Sequence, residues 1–543
     1  MIFMLVACEN NKDETNTERK LEEKVSRDLI IGVDKDVSSI DPHGSNDSAS
    51  RQVRRNIFET LLFQDVNLDI KPMLATEFKQ IDENTWNFKL RKNTTFHSGQ
   101  DFTSEDVKAS LLRGLDPTVA ASSAFMYEMI KEIEIVNDHE LNLHTKYPFA
   151  PLASNLAYNT ASIMSETSID KDYENAILKA GLDITLEEYY KLREKKGEAF
   201  TKVSSQMSEY IGEIIQKAPD GTNHLKFFSR ENGDNIVLKR FHEFNNGSRA
   251  FEKVTFRVIP EKSSRVSELE VQGVDIVNAL DVSKVNQLKE SQINAVKTKE
   301  SVRTTYLGFN TKKEPFTDKK IRQAISYAID RQDIVEGLFE NFGTEATTPL
   351  AKNVFGYDAS IEGIDFDLKK AKQLMQESSK PDGFKTTVWI NEDSEINDVA
   401  LYIEEKLKEI DIEVEIKTYE YAALFEELKK NEHDMFILGW STVTADADYF
   451  FNALFESSSI KEANNRTNFE NETFDKIIQE ARQEIDADKR QAMYKKAQEI
   501  LLLESPAAFI YNNQFAIGYN SKKLKNVEVD ASGDIRLEKV NFK

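Results

Sequence analysis

Between residues 385 and 440 the apolar residues change period in a regular rhythm. Residues 385–390, 412–419 and 434–440 read as strands, and 396–409 and 421–430 carry the spacing of helices. A strand-helix-strand-helix-strand series implies parallel strands joined by right-handed crossovers, with helices packed on the sheet. In such sheets ligands gather beyond the carboxyl ends of the strands. The last strand lies in HDMFILGW and delivers Gly439, Trp440 and Ser441 to such an end.

Elsewhere the pattern is mixed. Residues 29–33 are a short apolar run suited to a buried strand, and 86–90, 140–144, 235–239 and 254–259 alternate with period two. Residues 165–217 read as a helical insertion, in which Thr185-Leu186-Glu187-Glu188 has the form of a capping box. Ile321, Ala324, Ile325, Ala328 and Ile329 predict a helix over 317–339 that packs on one face. With 543 residues, 40% of them apolar, the chain has enough material for two or three lobes. Its net charge of −23 opposes binding to nucleic acid or to an anionic membrane surface.

The single cysteine excludes a disulfide framework and a cysteine-based zinc site in the folded body. Cys8 ends the short apolar stretch Leu5-Val6-Ala7-Cys8, and residues 9–27 are a charged tether too poor in apolar surface to form a core. Leu-Val-Ala-Cys resembles the lipobox of bacterial lipoproteins, which implies cleavage before Cys8, a lipid on its thiol and anchoring outside the cell membrane. A signal remnant over residues 1–8 follows from that reading.

A search for catalytic groups yields little. His139-Glu140 with His144 misses the zinc-protease spacing by one residue, and the segment alternates like a strand. There is no Gly-x-Ser-x-Gly elbow and no Walker-type lysine. His97, at a turn after a strand, fits a hydrogen-bonded structural group better than a base. Asp446 and Asp448 are a conceivable acid/base pair, but at a helix start they fit capping of free N–H groups better. Neither a catalytic residue, a metal site nor a cofactor is expected.

Several stretches then point one way: Ile40-Asp41-Pro42-His43, Asn56-Ile57-Phe58-Glu59-Thr60-Leu61, Lys71-Pro72-Met73-Leu74-Ala75, Trp86 to Lys92, Phe96-His97-Ser98-Gly99 and Phe102 to Val107. Later come Leu307-Gly308-Phe309-Asn310-Thr311, Pro315-Phe316, Ile321 to Asp330, the Gly439-Trp440 corner, Asn464-Asn465-Arg466 and Phe474-Asp475. In this order they resemble the peptide-binding lipoproteins of oligopeptide ABC importers, and the lipobox, length and helical insertion are similar to pheromone-binding lipoproteins of enterococcal type. The resemblance implies a two-lobed, periplasmic-binding-protein-like (class II) α/β fold, with mixed sheets flanked by helices and an extra subdomain over about 46–220. It implies a first lobe of residues 28–279 and 506–543, and a second of 280–505. It further implies a monomer that holds an extended oligopeptide between the lobes and delivers it to ABC permease subunits. By the same resemblance the peptide meets Gly439, Trp440, Ser441, Thr442, Val443 and Thr444 from the second lobe, and Asn46, Asp47 and Ser48 from the first.

Relatives place an aspartate three residues after the tryptophan of this corner, and its carboxylate pairs with the peptide's α-ammonium. Val443 stands there in this chain. A buried ammonium needs another partner, which leaves the hydroxyls of Thr442 or Thr444, or a shifted register that reaches Asp446. The missing carboxylate points to a narrow range of apolar peptides. Gly221-Thr222-Asn223-His224-Leu225 also departs from the family pattern. A surface signalling or chaperone-like binder without transport, a receptor for another small solute, and a hydrolase using Asp446 and Asp448 remain as alternatives.

Overall fold

The computed structural model describes residues 27–244, 250–280, 282–460 and 464–543. The lipidation expected at Cys8, and the tether apart from Arg27, lie outside these residues.

Eleven strands form one continuous sheet. In chain order they are β1 (Asp28–Val33), β2 (Leu225–Glu231), β3 (Asn235–Arg240), β4 (Lys253–Val258), β5 (Ile276–Val277) and β6 (Asn294–Phe309). There follow β7 (Gly343–Glu345), β8 (Phe384–Asn391), β9 (Ile412–Tyr419), β10 (Met435–Ser441) and β11 (Ala507–Asn520). Across the sheet they lie in the order β9-β8-β10-β6-β11-β5-β1-β4-β3-β2, with β7 paired to β11.

Two parallel groups sit in this order. β1 runs parallel to β4 and β5, and β8 runs parallel to β9 and β10, as the rhythm of 385–440 predicts. Between the groups lie β6 and β11, a long antiparallel pair. The first part of β6, Asn294 to Glu300, pairs with Asn520 to Gln514; the second, Thr304 to Gly308, pairs with Asn512 to Ala507. The register breaks between Glu300 and Thr304. The same two strands therefore serve both lobes and cross from one to the other where their ladder is interrupted.

The cores sort likewise. Leu29, Ile31, Leu238 and Phe256 share a cluster with Val529 and Ile535 of the chain end. In the other lobe, Ile321 and Ile325 of the helix Lys319–Ala328 and Val399 and Ile403 of the helix Ser394–Lys408 pack on Val388 and Ile437. Its opposite face holds Phe450, Phe451 and Tyr494. A separate four-stranded antiparallel sheet, with Thr85–Leu90 and Glu140–Thr145 at its centre, has its own core of Phe88, Phe96 and Leu141. The molecule is thus a two-lobed α/β protein.

The helical insertion runs from Glu166–Lys179 to Glu213–Lys217, and its capping box forms: Glu188 N–H donates to Thr185 Oγ1 at 3.2 Å, and Thr185 N–H to Glu188 Oε2 at 2.7 Å. Arg113 ties it to the first lobe through Asp41 at 2.6 Å and Asp172 at 3.1 Å. The helix predicted over 317–339 is broken instead. Lys319–Ala328 ends at an extended Ile329, Asp330 caps a new turn, and a wide turn follows over Ile334–Leu338. The reason is Arg331, which is buried and donates to the carbonyls of Ile329, Ala346 and Phe509, so the chain turns to bring it inward.

Candidate functional site

One wall of the opening between the lobes is the end of β10. Along one edge β10 pairs with β6 over its whole length, from Met435 opposite Phe309 to Ser441 opposite Arg303. Along the other edge it meets β8 only at Met435 and Phe436. From Ile437 to Ser441 no strand among the described residues lies beside that second edge, and of its end groups only Ser441 O is engaged, by Val443 N–H at 2.9 Å. A strand edge with free N–H and C=O groups is a template for an added strand. Gly439 leaves room for a side chain laid across it: a Cβ there would lie 2.3 Å from Nη2 of Arg303, whose guanidinium crosses the glycine and would have to move aside.

Trp440 and Ser441 are half-buried at the end of this edge. The Trp440 ring stacks at a tilt on Tyr449, 5.2 Å between centroids, and Tyr449 in turn stacks on Phe125 of the first lobe at 5.8 Å. The chain then turns back: Thr442 N–H donates to Val302 O at 2.9 Å, and Ala445 N–H to Thr442 O at 2.7 Å. Val443, 7% exposed, joins the apolar cluster of the four-stranded subdomain. Two buried polar atoms at this corner, Trp440 Nε1 and Thr444 Oγ1, have no hydrogen-bond partner.

The expectation that a shifted peptide reaches Asp446 is not met by this geometry. Asp446 is 7% exposed, caps the helix Ala447–Leu454 by accepting from Asp448 N–H at 2.9 Å, and pairs with Arg490 at 2.6 Å. Asp448 does not cap; it pairs with Arg482 at 2.9 Å. Both carboxylates are thereby occupied by buried cations, and the acid/base reading loses its free groups.

Facing this wall is the loop before the helix Ser48–Ile57, here α1. Asn46 accepts from the Tyr158 hydroxyl, and Asp47 caps α1 by accepting from Ser50 N–H at 2.8 Å. Ser48 lines a cavity of about 150 Å³ among Val33, Val53, Phe256 and Ile517. On the other side of α1 a cavity of about 200 Å³ is lined by Val443, Tyr158, Glu59 and the charged cluster described next. The structure therefore brings Val443 against the first lobe, while Ser48 opens on a different cavity.

In the charged cluster Arg51 and Arg55 of α1 meet Asp534 at 2.8 and 2.9 Å, and Arg55 and Arg536 meet Asp530 at 2.9 and 3.2 Å. Burial alone would raise Asp530, but Arg55 and Arg536 beside it bring its carboxyl down to about 2. Glu59 takes Arg91 at 2.6 Å and Thr222 at 2.9 Å on Oε2, and its Oε1 is buried without a partner. The loop Gly221 to His224 docks here: a Cβ on Gly221 would lie 2.1 Å from Ile57 O, and Asn223 Nδ2 donates to Arg55 O at 2.7 Å.

The histidines are structural groups in this fold. His97 Nε2 meets Asn223 O at 2.8 Å, and burial holds its pKa at about 4, so the ring is neutral and donates. His144 is taken up by Thr85 and Glu134, both at 3.1 Å. Sequence reasoning missed Gln64, whose side-chain N–H donates to Thr444 O at 2.6 Å, and also Glu59 and Arg303. Glu59 lies in a motif already singled out, whereas Gln64 and Arg303 carry no local signal, because their partners lie far along the chain.

Two lobes, a pair of crossing strands and an unfilled strand edge facing the opening define a two-lobed binding protein with its ligand site between the lobes. The chain belongs to the bacterial extracellular solute-binding proteins of family 5, whose model for the middle of the family matches residues 69–462. It is a binding protein and not an enzyme. It is 26% identical to the oligopeptide-binding protein AppA of Bacillus subtilis, over 97% of this chain and 94% of AppA. It is also 26% identical to heme-binding protein A of Haemophilus influenzae, over 85% of this chain and 82% of that protein. The solved structure of the periplasmic binding protein DppA of Helicobacter pylori in complex with the peptide STSA superposes with a TM-score of 0.78 at 27% identity, covering 95% of this chain and 98% of DppA.

Proposed function

We propose that this protein captures an extended peptide in the cleft and delivers it to the permease of an ABC importer. The observation that carries the reading is the edge of β10, which is unpaired from Ile437 to Ser441 while its other edge is fully engaged. A peptide laid along Gly439 and Ser441 completes that edge, and main-chain hydrogen bonds then hold it whatever its side chains. Trp440 Nε1 and Thr444 Oγ1, buried without partners, are further groups for it to meet. The similarity to AppA and to peptide-bound DppA supports the same ligand class.

The lobes that close follow the expected division into 28–279 with 506–543 and 280–505, except that β6 as far as Glu300 goes with the first and β11 as far as Asn512 with the second; Asn46 and Asp47 face the peptide from the first, and Ser48 lines the neighbouring cavity. The apolar setting of Val443 favours peptides with few charges at that position, a hydrophobic signalling peptide among them. Cys8 carries the lipid that anchors the protein outside the membrane. Native mass spectrometry of the purified protein tests the central claim: a peptide released on denaturation is expected. A protein that neither carries peptide nor takes one from a random-sequence library would sink it. Stimulation of a reconstituted permease ATPase by the loaded protein separates delivery from mere capture.

A further inference from the structure

Buried and half-buried arginines in this protein find partners in two ways. Arg51, Arg113, Arg482 and Arg490 each meet a carboxylate within 2.9 Å. Arg322 and Arg331 instead spread their N–H groups over backbone carbonyls, such as Phe316 and Glu504 for the first and Ala346 and Phe509 for the second. Arg466 does neither. Its Nη1 reaches only Asn464 O, at 3.3 Å, and its Nε is buried with no partner. Among the described residues no acid acts on it; its neighbours are Tyr306 and Tyr421, and burial holds the guanidinium below the usual arginine range.

The group is nevertheless held in place. The guanidinium lies over the Phe425 ring, 4.9 Å from its centroid, and Phe425 meets Tyr421 edge-on at 5.0 Å. From behind, His433 Nε2 donates to the Arg466 carbonyl at 2.9 Å, and burial keeps that ring neutral with a pKa of about 4. Tyr421 lies beneath Lys35 Nζ, 5.5 Å from its centroid, and Lys35 follows β1 in the other lobe. The aromatic cage thus stands where the lobes face each other. Arg303, which crosses Gly439, acts on the same Tyr306 hydroxyl as Arg466 does.

The Nε–H and Nη2–H edge of a guanidinium is one that a carboxylate grips with two parallel hydrogen bonds. A cation half withdrawn from water without a counter-ion is unfavourable, so an occupant that brings negative charge is preferred. Left unmatched among the described residues, this cation at the cleft is suited to a carboxylate that a ligand brings. The geometry points to a carboxylate subsite in the second-lobe wall: Arg466, fixed by Phe425 and His433, receives a carboxylate of the bound ligand, with Arg303 and Lys35 adding positive field. The identity of the ligand as a peptide rests on the reading above; the carboxylate is then its C-terminus or an Asp or Glu side chain.

Three random hexapeptide libraries test this on wild type and R466Q, with bound fractions read by native mass spectrometry. One carries free C-termini, one is amidated, and one is amidated and lacks Asp and Glu. Wild type is expected to hold the third library at least about tenfold more weakly than the first, and R466Q to hold all three about equally. R466K, which keeps the charge, stands in if R466Q does not fold, and retains a weaker preference. Loss of binding on amidation assigns the carboxylate to the C-terminus; loss only without Asp and Glu assigns it to a side chain. A wild type that holds the third library as well as the first, or an R466Q that keeps the wild-type preference, overturns the proposal. If no library binds, the peptide reading falls, and the subsite is judged by benzoate alone. The Arg466 Nε–H resonance, assigned by its loss in the Arg466 variant that folds, then shifts with millimolar benzoate, or the proposal falls too.

Discussion

Gln64 donates its side-chain N–H to the carbonyl of Thr444 at 2.6 Å, a hydrogen bond that joins the first lobe to the turn after β10. Arg536 steadies Gln64 by donating to its own carbonyl at 3.0 Å. On the proposed closure this bond forms only when the lobes come together, so it stabilises the closed form and not the open one. Gln64→Ala is expected to weaken peptide affinity by roughly three- to tenfold, the worth of one such hydrogen bond. Small-angle scattering of the empty variant should show a larger radius of gyration than wild type; an unchanged radius and affinity would dismiss the bond as a latch.

Val443 predicts an unusual tolerance at the peptide's amino end. It lies in an apolar cluster and offers no charge to an ammonium. Acetylating the N-terminus of a bound peptide should therefore change affinity by less than about tenfold, since no full ion pair is lost. Val443→Asp should make binding depend on a free ammonium. Calorimetry of both proteins with both peptides measures this, and a loss of many orders of magnitude on acetylation in wild type would reveal a strong ammonium site elsewhere, with the free oxygen of Glu59 the first place to look.

The pH dependence of stability follows from buried histidines. Burial lowers His97 and His433 to about 4 and His43 to about 3, from a usual 6.5. The folded protein then binds fewer protons than the unfolded chain below pH 6.5, so stability is full above that value and declines as pH falls through about 4. Asp530, lowered to about 2 from 3.8, adds a further loss below about pH 4. Urea unfolding at pH 7, 5.5 and 4.5 should show a falling midpoint, and His97→Gln should flatten the curve; a midpoint that rises toward pH 4.5 contradicts the burial of neutral rings.

The link between α1 and the chain end is expected to be the most sensitive polar contact. Asp534 receives Arg51 through Nε at 2.8 Å and through Nη2 at 3.0 Å, and Arg55 at 2.9 Å. Asp534→Asn leaves two largely buried guanidinium groups short of charge and should destabilise the first lobe by roughly 3–5 kcal/mol. Denaturant unfolding followed by tryptophan fluorescence measures it. A loss below about 1 kcal/mol, the range of exposed pairs, would mean that water already screens the cluster.

Much of this architecture was legible because it depends on local period. The helices of 385–440 bury one face each and β8 and β10 are short apolar runs buried on both, so helical spacing alternating with short apolar runs reveals them together with their parallel order. What escaped depends on partners distant in sequence. The break after Ile329 comes from Arg331 reaching Phe509 O, a contact that no window around 329 contains. Asp446 sits at a helix start and was readable as a cap, yet its pairing with Arg490, 44 residues on, removes it from the cleft. Arg466 looks like any surface cation until Phe425, Tyr306 and Tyr421 close around it.

The bare edge of β10 has a consequence when the cleft is empty. Lobes that swing apart about the break between Glu300 and Thr304 leave Ile437 to Ser441 open to any extended chain. A second copy of the protein can supply such a chain as readily as a ligand can, since a strand edge recognises backbone before sequence. A peptide lying on that edge, as proposed, would therefore also shield it from a second copy of the chain.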